Sequence, residues 1–483
     1  MLEMHHCAML LLAVCMLSRA SATPQRQHVA DPEDALNGLR SGGVDGSAGS
    51  LHSFREGTLG LTLFNDIEKG HRVPPTQYHD VVFVVQQKNM DILTRLLLDV
   101  SDPSSEKYGN HLSKEEIDDL TYNGDSHQIV MAYLNSVGAE VVLVECSGEL
   151  IRARAQISLW ETILDTEFHH FSHKNSMDGI DAANDETGTL DERTFIRTEK
   201  YSVPISLDDH VAFVLNTVQI PPPKSRRYSS ADMGSYGPAK SSSFSQSSLY
   251  TEGHISPQLI NDAYNIDDNT GHPRATQAAM QGLGQIFSPD DLRTFQTYYQ
   301  VPILAVNRSQ ENMTRPSEWC ATNLDLCAES NLDLMYMLAV ANTPTYHSYF
   351  RSNSMAEWFL NLAHSKNPPL VLSLSYGADE NRITQGEALI MQNAAIRLGT
   401  RGVTIVVAAG DDGVTSPYAR SNPTQCAYIP SWPASCPYIT SIGATQVRSI
   451  LITRMESMTY YNTQKIGQLL LLSHKSQQFL HVH

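Results

Sequence analysis

Basic residues are scarce in this chain of 483 residues. It has 34 Lys and Arg against 52 Asp and Glu, a formal net charge of −18 at neutral pH. Proteins that bind nucleic acid neutralise phosphates with clustered Lys and Arg side chains. We therefore expect no nucleic-acid partner. The 19 His would shift the net charge sharply between neutral and acidic pH.

Long apolar runs are also lacking. The run from Ala8 to Leu17 is too short to cross a bilayer, and no later run is long enough. The small residues Ala20, Ser21 and Ala22 follow it, which is typical of a signal-peptidase site before Thr23. The alternative is a buried N-terminal helix, since no Lys or Arg precedes the run. We predict a signal peptide over residues 1–22 and no membrane span.

Cysteine is sparse, and no spacing of Cys and His resembles a zinc site. Cys7 and Cys15 fall in the predicted signal peptide, which leaves five later cysteines: Cys146, Cys320, Cys327, Cys426 and Cys436. In an oxidising compartment, the pairs to expect first are Cys320 with Cys327 and Cys426 with Cys436. Two glycosylation triplets, at Asn307 and Asn312, also suit a secreted glycoprotein.

The chain divides by composition. Residues 23–50 are polar and rich in Gly, Ser and Asp, and we predict that they are poorly ordered. Residues 51–220 alternate apolar and amphipathic segments in the order strand, helix, strand, strand, helix, strand, which predicts a small split α+β domain. Residues 221–250 are rich in Pro, Ser and Gly and read as a linker. Its KSRR stretch is either solubilising or an activation cleavage point near Arg227.

Residues 251–447 form a second domain. Its strands PLVLSL, TIVVA and YITSI are apolar throughout and alternate with helices, a pattern typical of a parallel α/β sheet covered on both faces. In such sheets functional groups gather beyond the carboxyl ends of the strands. Asp411 and Asp412 follow one of these strands directly.

Glu329 and Asp333 lie four residues apart in a segment that otherwise reads as a buried helix. Like charges on one helix face destabilise the helix by roughly 0.2–0.5 kcal/mol, so the presence of both acids needs an explanation. Both acids could cap the helix or form ion pairs on its surface. Spacing alone favours that reading, because carboxylates on helices are common.

The ordered segments together resemble the sedolisin family of serine-carboxyl peptidases over about residues 50–447. The stretch LLLDVSDPSSEKYGNHLSKEE is similar to the activation propeptide of that family. The blocks AESNLDLMYM, LSLSYG, VVAAGDDG and YIPSWPASCPYITSIGAT match the peptidase domain in the expected order. The resemblance implies a subtilisin-like parallel sheet, here incomplete, preceded by an α+β ferredoxin-like propeptide domain.

The resemblance also implies roles for three acids. Glu329 would be the general base that activates a Ser nucleophile, and Asp333 would orient and polarise it. Such a pair shares a proton and suits acidic pH, at which a His base would be protonated. Asp411 matches the acid of the oxyanion hole, although it could form an Asx turn, a part that Asp412 could also play. Ser375 is read as a turn residue or a contact to the substrate backbone.

The resemblance breaks after Gln446. The Gly-Thr-Ser block that carries the nucleophile of the family is absent from the printed sequence, and residues 448–483 are basic and look unrelated, although a divergent C-terminus is an alternative. The calcium site typical of the family falls in the missing part, so we expect no metal and no other cofactor. A chain without the later strands would expose apolar surface, so we predict that it is inactive and poorly soluble.

Two functions remain open. One is the zymogen of a peptidase, cleaving either tripeptides or internal bonds, whose partners are polypeptide substrates and its own propeptide. The other is a non-catalytic protein that binds or inhibits an intact homologue. In both cases the signal peptide predicts secretion or delivery to a lysosomal or vacuolar lumen.

Overall fold

The computed structural model of the chain describes residues 52–57, 67–173, 194–221, 255–266, 269–282, 285–308, 314–349, 355–416, 419, 424 and 426–443. The predicted signal peptide, the segment at 23–50, the tail at 448–483 and the cleavage point near Arg227 lie outside these residues. Among the described residues, no helix is both long and apolar enough to span a bilayer.

The first part, residues 52–221, is built around a four-stranded antiparallel sheet with the strand order β4-β5-β3-β9. The helices and strands of this part are β1 His52–Gly57, β2 Ile67–Arg72, β3 Tyr78–Val85, α1 Met90–Ser101, α2 Lys114–Thr121, α3 Gly124–Ser136, β4 Glu140–Glu145, β5 Leu150–Gln156, α4 Ile157–Leu164, β6 His169–His173, β7 Thr194–Arg197, β8 Lys200–Pro204 and β9 Val211–Leu215.

Local sequence explains most of these elements. Strand β3 is buried from Val81 to Val85 because it lies inside the sheet and both of its faces are covered. Helix α2 begins after Ser113, whose hydroxyl accepts the N–H of Glu116 while the carboxylate of Glu116 binds the N–H of Ser113. Helix α3 begins at Gly124, before the apolar pattern starts, because Asn123 caps it.

Five strands of this part have no counterpart in the sequence-based prediction. Strands β1 and β8 form a two-stranded sheet, and β2, β6 and β7 form a three-stranded one. Strands β1 and β2 contain one buried residue each, Glu56 and Ile67. A strand that buries so little carries no apolar alternation by which it could be predicted.

The second part, residues 255–443, contains a six-stranded parallel sheet with the order β11-β12-β10-β13-β15-β17, which agrees with the predicted parallel α/β sheet. Its helices and strands are α5 Pro257–Tyr264, β10 Gln277–Gln281, α6 Pro289–Tyr298, β11 Asn307–Arg308, α7 Ser317–Thr322, α8 Leu324–Ala341, β12 Thr345–Tyr349, α9 Met355–Ala363, β13 Val371–Leu374, β14 Ala378–Asp379, α10 Gln385–Thr400, β15 Thr404–Ala408, β16 Ser431–Trp432 and β17 Thr440–Ile442.

The two parts share a hydrophobic core. One face of the antiparallel sheet, with Val82 and Val84, packs in one cluster with Phe359 of α9 and Leu398 of α10. The opposite face, with Val81, Phe83 and Val85, packs with residues of α3 and α4. The alternation of side chains along a strand thus divides the apolar run of β3 between an internal core and an interface.

One of the two predicted disulfides is present and the other is not. Cys320 and Cys327 form a disulfide, as predicted, which links α7 to the first turns of α8. The pairing of Cys426 with Cys436 is wrong, because both are free thiols. Cys436 is buried in the core cluster that contains Trp432, whereas Cys426 is exposed.

Candidate active site

Three adjacent strands of the parallel sheet end at the candidate site. Gln281 is the last residue of β10, Ser375 follows β13 directly, and Asp411 follows β15 after Ala409 and Gly410. Because β10, β13 and β15 are parallel neighbours, their carboxyl ends lie at one edge of the sheet. Gly410 has φ 99°, which a residue with a side chain rarely adopts, so the turn before Asp411 requires glycine.

Helix α8 supplies the two remaining acids. Its Leu334 and Met337 pack with Ala279 of β10, and its Tyr336 and Val340 pack with Ile260 of α5, so apolar contacts hold the helix on two sides. Glu329 and Asp333 lie one turn apart on this fixed helix. Asp333 is buried, with only 1% of its surface exposed. Asp333 therefore does not lie on an exposed helix surface, whereas Glu329 is half-buried.

Both carboxylate oxygens of Asp333 accept hydrogen bonds from strand ends. The Ser375 hydroxyl donates to Oδ1 at 2.9 Å, and the Gln281 side-chain amide donates to Oδ2 at 2.8 Å. The Tyr376 hydroxyl in turn donates to the side-chain oxygen Oε1 of Gln281 at 3.0 Å. Donors on both oxygens fix the orientation of Asp333.

Glu329 is in a different environment. Burial, assisted by the charge of Asp411, raises the pKa of Glu329 to about 7, against an opposing hydrogen bond with Ser375. Ser375 and Asp411 therefore both lie near Glu329. A carboxyl with a pKa of about 7 holds its proton in acid, and only its ionised fraction can act there as a general base.

The structure brings all three predicted acids, Glu329, Asp333 and Asp411, into one site. Asp412 lies in the next turn, where its carbonyl oxygen accepts the N–H of Thr415. Ser375, predicted as a turn residue or a substrate contact, donates its hydroxyl to Asp333. Gln281 and Tyr376 were missed, although their positions at strand ends could have suggested them. The described residues contain no group of His, Cys, Asp and Glu that could hold a metal.

Comparison with known proteins adds to this geometry. Residues 65–220 match the family model described as the pro-kumamolisin activation domain. A probable tripeptidyl-peptidase SED3 of Arthroderma benhamiae is 26% identical over 75% of this chain and 62% of its own length. Tripeptidyl-peptidase 1 of Homo sapiens is 26% identical over 80% of this chain and 65% of its own length.

The matched activation domain and these relatives support the predicted resemblance to the sedolisin family. Physarolisin of Physarum polycephalum is also 25% identical over 76% of this chain and 60% of its own length. The chain thus spans 60–65% of the length of these sedolisin relatives.

Among solved structures, Pseudomonas sedolisin, a serine-carboxyl proteinase complexed with two molecules of pseudo-iodotyrostatin, is similar with a TM-score of 0.29 and 16% identity. The similarity covers 39% of this chain and 52% of the sedolisin chain.

Proposed function

We propose that this chain is the precursor form of a serine-carboxyl peptidase that acts on polypeptides at acidic pH. The observation that carries the proposal is the meeting of Glu329, Asp333 and Asp411 at the ends of three parallel strands, in a chain that also carries an activation domain. The relatives named as tripeptidyl-peptidases favour the removal of tripeptides, and internal cleavage is the other possibility.

In this proposal Glu329 is the general base. It takes the proton of a Ser nucleophile as that serine attacks the peptide carbonyl, and returns it to the leaving amine. Asp333 orients Glu329. Asp411, when protonated, donates a hydrogen bond to the oxyanion of the tetrahedral intermediate. A carboxylic acid can donate only with its proton in place, so this arrangement favours acidic conditions.

The N-terminal part acts as the propeptide. Its strand order, β4-β5-β3-β9, with crossing helices between the strands, fits a ferredoxin-like domain that docks on the peptidase domain. Cleavage near Arg227 in the linker would separate the two. The signal peptide at 1–22 would direct the precursor to the secretory route, for secretion or for delivery to a lysosomal or vacuolar lumen.

Residues 444–483 contain no Gly-Thr-Ser block, and the inactivity predicted for this sequence is an expectation to be tested. We expect its transcript or gene to encode that block beyond residue 445, in another frame or after a retained non-coding stretch. The printed chain should give no turnover in an acid-pH peptide-cleavage assay and should express poorly in soluble form. Turnover by the printed chain that disappears in Glu329→Gln would overturn the predicted inactivity.

The decisive experiment uses the chain extended by the downstream block. The extended chain should cleave a tripeptide-amide substrate or an unfolded protein at acidic pH. Its Glu329→Gln variant should lose most of that activity, because the serine then has no base. An extended, folded chain that cleaves neither substrate would refute the proposed function.

The alternative is a protein that inhibits an intact homologue. It is favoured by the core of the N-terminal part, where Phe83, Trp160 and Leu134 are fully buried within residues of that part alone. The discriminating measurement is inhibition of a full-length sedolisin homologue by the printed chain. Inhibition together with no Gly-Thr-Ser block downstream would favour this alternative over the precursor.

A further inference from the structure

Three segments meet beyond the carboxyl ends of β13 and β15. The first segment, residues 375–380, begins with the serine whose hydroxyl donates to Asp333 at 2.9 Å. The second segment, residues 411–416, begins with Asp411, and the third segment, residues 427–432, contains β16. Hydrogen bonds join each segment to the other two, so the three segments form a closed triangle at the edge of the site.

The third segment is held to the other two mainly by its main chain. Its β16 pairs with β14 of the first segment, and the N–H of Glu380 donates to the carbonyl oxygen of Pro430 at 2.8 Å. The N–H of Ile429 donates to the carbonyl oxygen of Val414, in the second segment, at 3.0 Å. Because main-chain atoms make these bonds, substitution of a side chain does not remove them.

The first and second segments are joined differently, through side chains. The Ser416 hydroxyl donates to Oδ2 of Asp379 at 2.5 Å. Ser416 is buried, and the side chain of Asp379 is only 10% exposed, so water cannot easily replace this bond. In the part of the chain that the structure describes, no backbone hydrogen bond joins these two segments. This side of the triangle is therefore the one that a single substitution can open.

We propose that Asp379 is a positioning residue that fixes Asp411 relative to the carboxyl pair on α8. The first segment starts at Ser375, which is bound to Asp333, and the second starts at Asp411. The bond between Asp379 and Ser416 thus closes a path from one acid of the site to the other. The inference rests on the proposed function and deepens it, because an oxyanion donor acts only when it is held where the negative charge develops.

The contact is tested by hydrogen exchange in the soluble fraction of the full chain. The amides of Thr415 and Ile429 report on it, because both donate to carbonyl oxygens of the second segment. We expect Asp379→Ala and Ser416→Ala each to reduce the protection of these amides about tenfold. The double variant should reduce it little more than either single variant, since both changes remove the same bond. Asp379→Asn keeps a side-chain oxygen as acceptor and should retain most of the protection.

Glu380→Gln is the matched control. Glu380 is the next residue of the same segment, but its carboxylate accepts the Ser435 hydroxyl and makes no printed contact to the second segment. This variant should leave the protection of Thr415 and Ile429 unchanged.

The positioning role is tested in the chain extended by the downstream block. Asp379→Ala should lower kcat about 10–100-fold and change KM by less than about threefold, because a displaced oxyanion donor is lost from the transition state alone. Asp379→Asn should restore most of kcat, and Glu380→Gln should equal the wild type.

Unchanged protection in Asp379→Ala and Ser416→Ala, or an unchanged kcat, would overturn the positioning role while leaving the proposed function in place. An equal loss in Glu380→Gln would also overturn it, because the whole segment would then be loosened. If Asp379→Ala does not fold, Ser416→Ala, which removes a single hydroxyl, gives the same test. A folded, extended wild-type chain without activity would refute the proposed function and the positioning role together.

Discussion

At the scale of single residues, Asp333 depends on a chain of side chains that ends at Tyr376. Gln281 is the central link, because its amide donates to Asp333 and its side-chain oxygen accepts from Tyr376. Gln281 is fully buried. Removing it would leave a carboxylate oxygen and a phenol hydroxyl without their present partners, in a place where water cannot easily replace them.

We predict that Gln281→Met, which keeps the volume, lowers the free energy of unfolding by about 2–3 kcal/mol, because a charged acceptor loses its donor. Tyr376→Phe should cost about 1 kcal/mol, because it removes one neutral hydrogen bond. The double variant should cost clearly less than the sum, since both changes break the same chain. Chemical denaturation of the four proteins measures this coupling. Strictly additive losses would contradict a connected network.

Sequence reasoning reached the three acids of the site but not the neutral groups around them. Glu329, Asp333 and Asp411 lie in short blocks whose order resembles the sedolisin family. Gln281 and Tyr376 lie 95 positions apart, and their contact depends on β10 and β13 being neighbours in the sheet. Hydrogen bonds between polar side chains leave no periodic pattern, so this network could not be predicted from the chain.

At the scale of elements, the N-terminus of α10 is capped from two directions. Thr384 and Glu387 form a capping box within the second part. From the first part, Glu56 of β1 accepts the N–H of Gly386 at 2.6 Å. Gly386 permits this approach, because a Cβ there would lie 2.6 Å from the ring of Phe213. A carboxylate in the propeptide-like part thus completes a helix of the other part.

Glu56→Gln should make this contact insensitive to pH. Burial raises the pKa of Glu56, although hydrogen bonds from Gly386, Thr384, Tyr201 and Gln219 oppose it. A raised pKa means that the stabilisation is complete below the ordinary value of Glu and is lost as pH rises through the raised value. The free energy of unfolding of the wild type should therefore fall as pH rises through this raised value, and that of the neutral amide variant should not.

Gly386→Ala is the control for this experiment. It should destabilise the contact by about 1–3 kcal/mol through overpacking against Phe213, equally at every pH. Parallel pH profiles of the wild type and Glu56→Gln would show that Glu56 does not titrate on docking. Such a result would leave Glu56 as a simple polar cap of α10.

Sequence predicted elements with a continuous apolar run, such as β3, or an amphipathic pattern, such as α1, and missed those with neither. Strand β1, HSFREG, has a single buried residue, and that residue is Glu56. Its side chain is buried by contact with the second part rather than by its own sheet alone. A strand whose buried position is a charged residue reads as a surface loop until the partner element is known.

At the scale of the whole molecule, the two parts are joined by a buried group of charges as well as by apolar packing. Arg397 of α10 lies 3.1 Å from Asp118 of α2, and His364 lies 3.1 Å from Glu149. His364 also lies 3.6 Å from Asp118. The two carboxylates belong to the first part, and Arg397 and His364 belong to the second, so polar contacts cross the interface.

This group was not predictable from sequence. In the sequence, Arg397 is a basic residue in the last turn of a helix, where its charge would interact favourably with the helix dipole. Its burial, with 3% of the side chain exposed, arises only because α1 and α2 pack against α10. Only the tertiary structure shows that α1 and α2 of the first part pack against α10.

We predict that Arg397→Met destabilises the docked chain by about 3–5 kcal/mol, because it removes the buried guanidinium that faces Asp118 and Glu149. Arg154→Met is the matched control. Arg154 forms an ion pair with Asp80 at 2.6 Å on the antiparallel sheet of the first part, but its side chain is 46% exposed. An exposed pair contributes at most about 1 kcal/mol, so this variant should unfold almost as the wild type does.

The pH dependence of thermal unfolding sharpens this test. Burial alone would raise the pKa of Asp118, but hydrogen bonds from Lys114 and Ser147 and the charge of His364 outweigh it and hold the pKa low. Stabilisation by Asp118 is therefore complete above the ordinary value of Asp and is lost as pH falls through the lowered value. The difference in Tm between the wild type and Arg397→Met should become smaller in strong acid, when the carboxylates lose their charge. Equal losses in Arg397→Met and Arg154→Met at neutral pH, or a gap that widens in acid, would mean that apolar packing alone holds the two parts together.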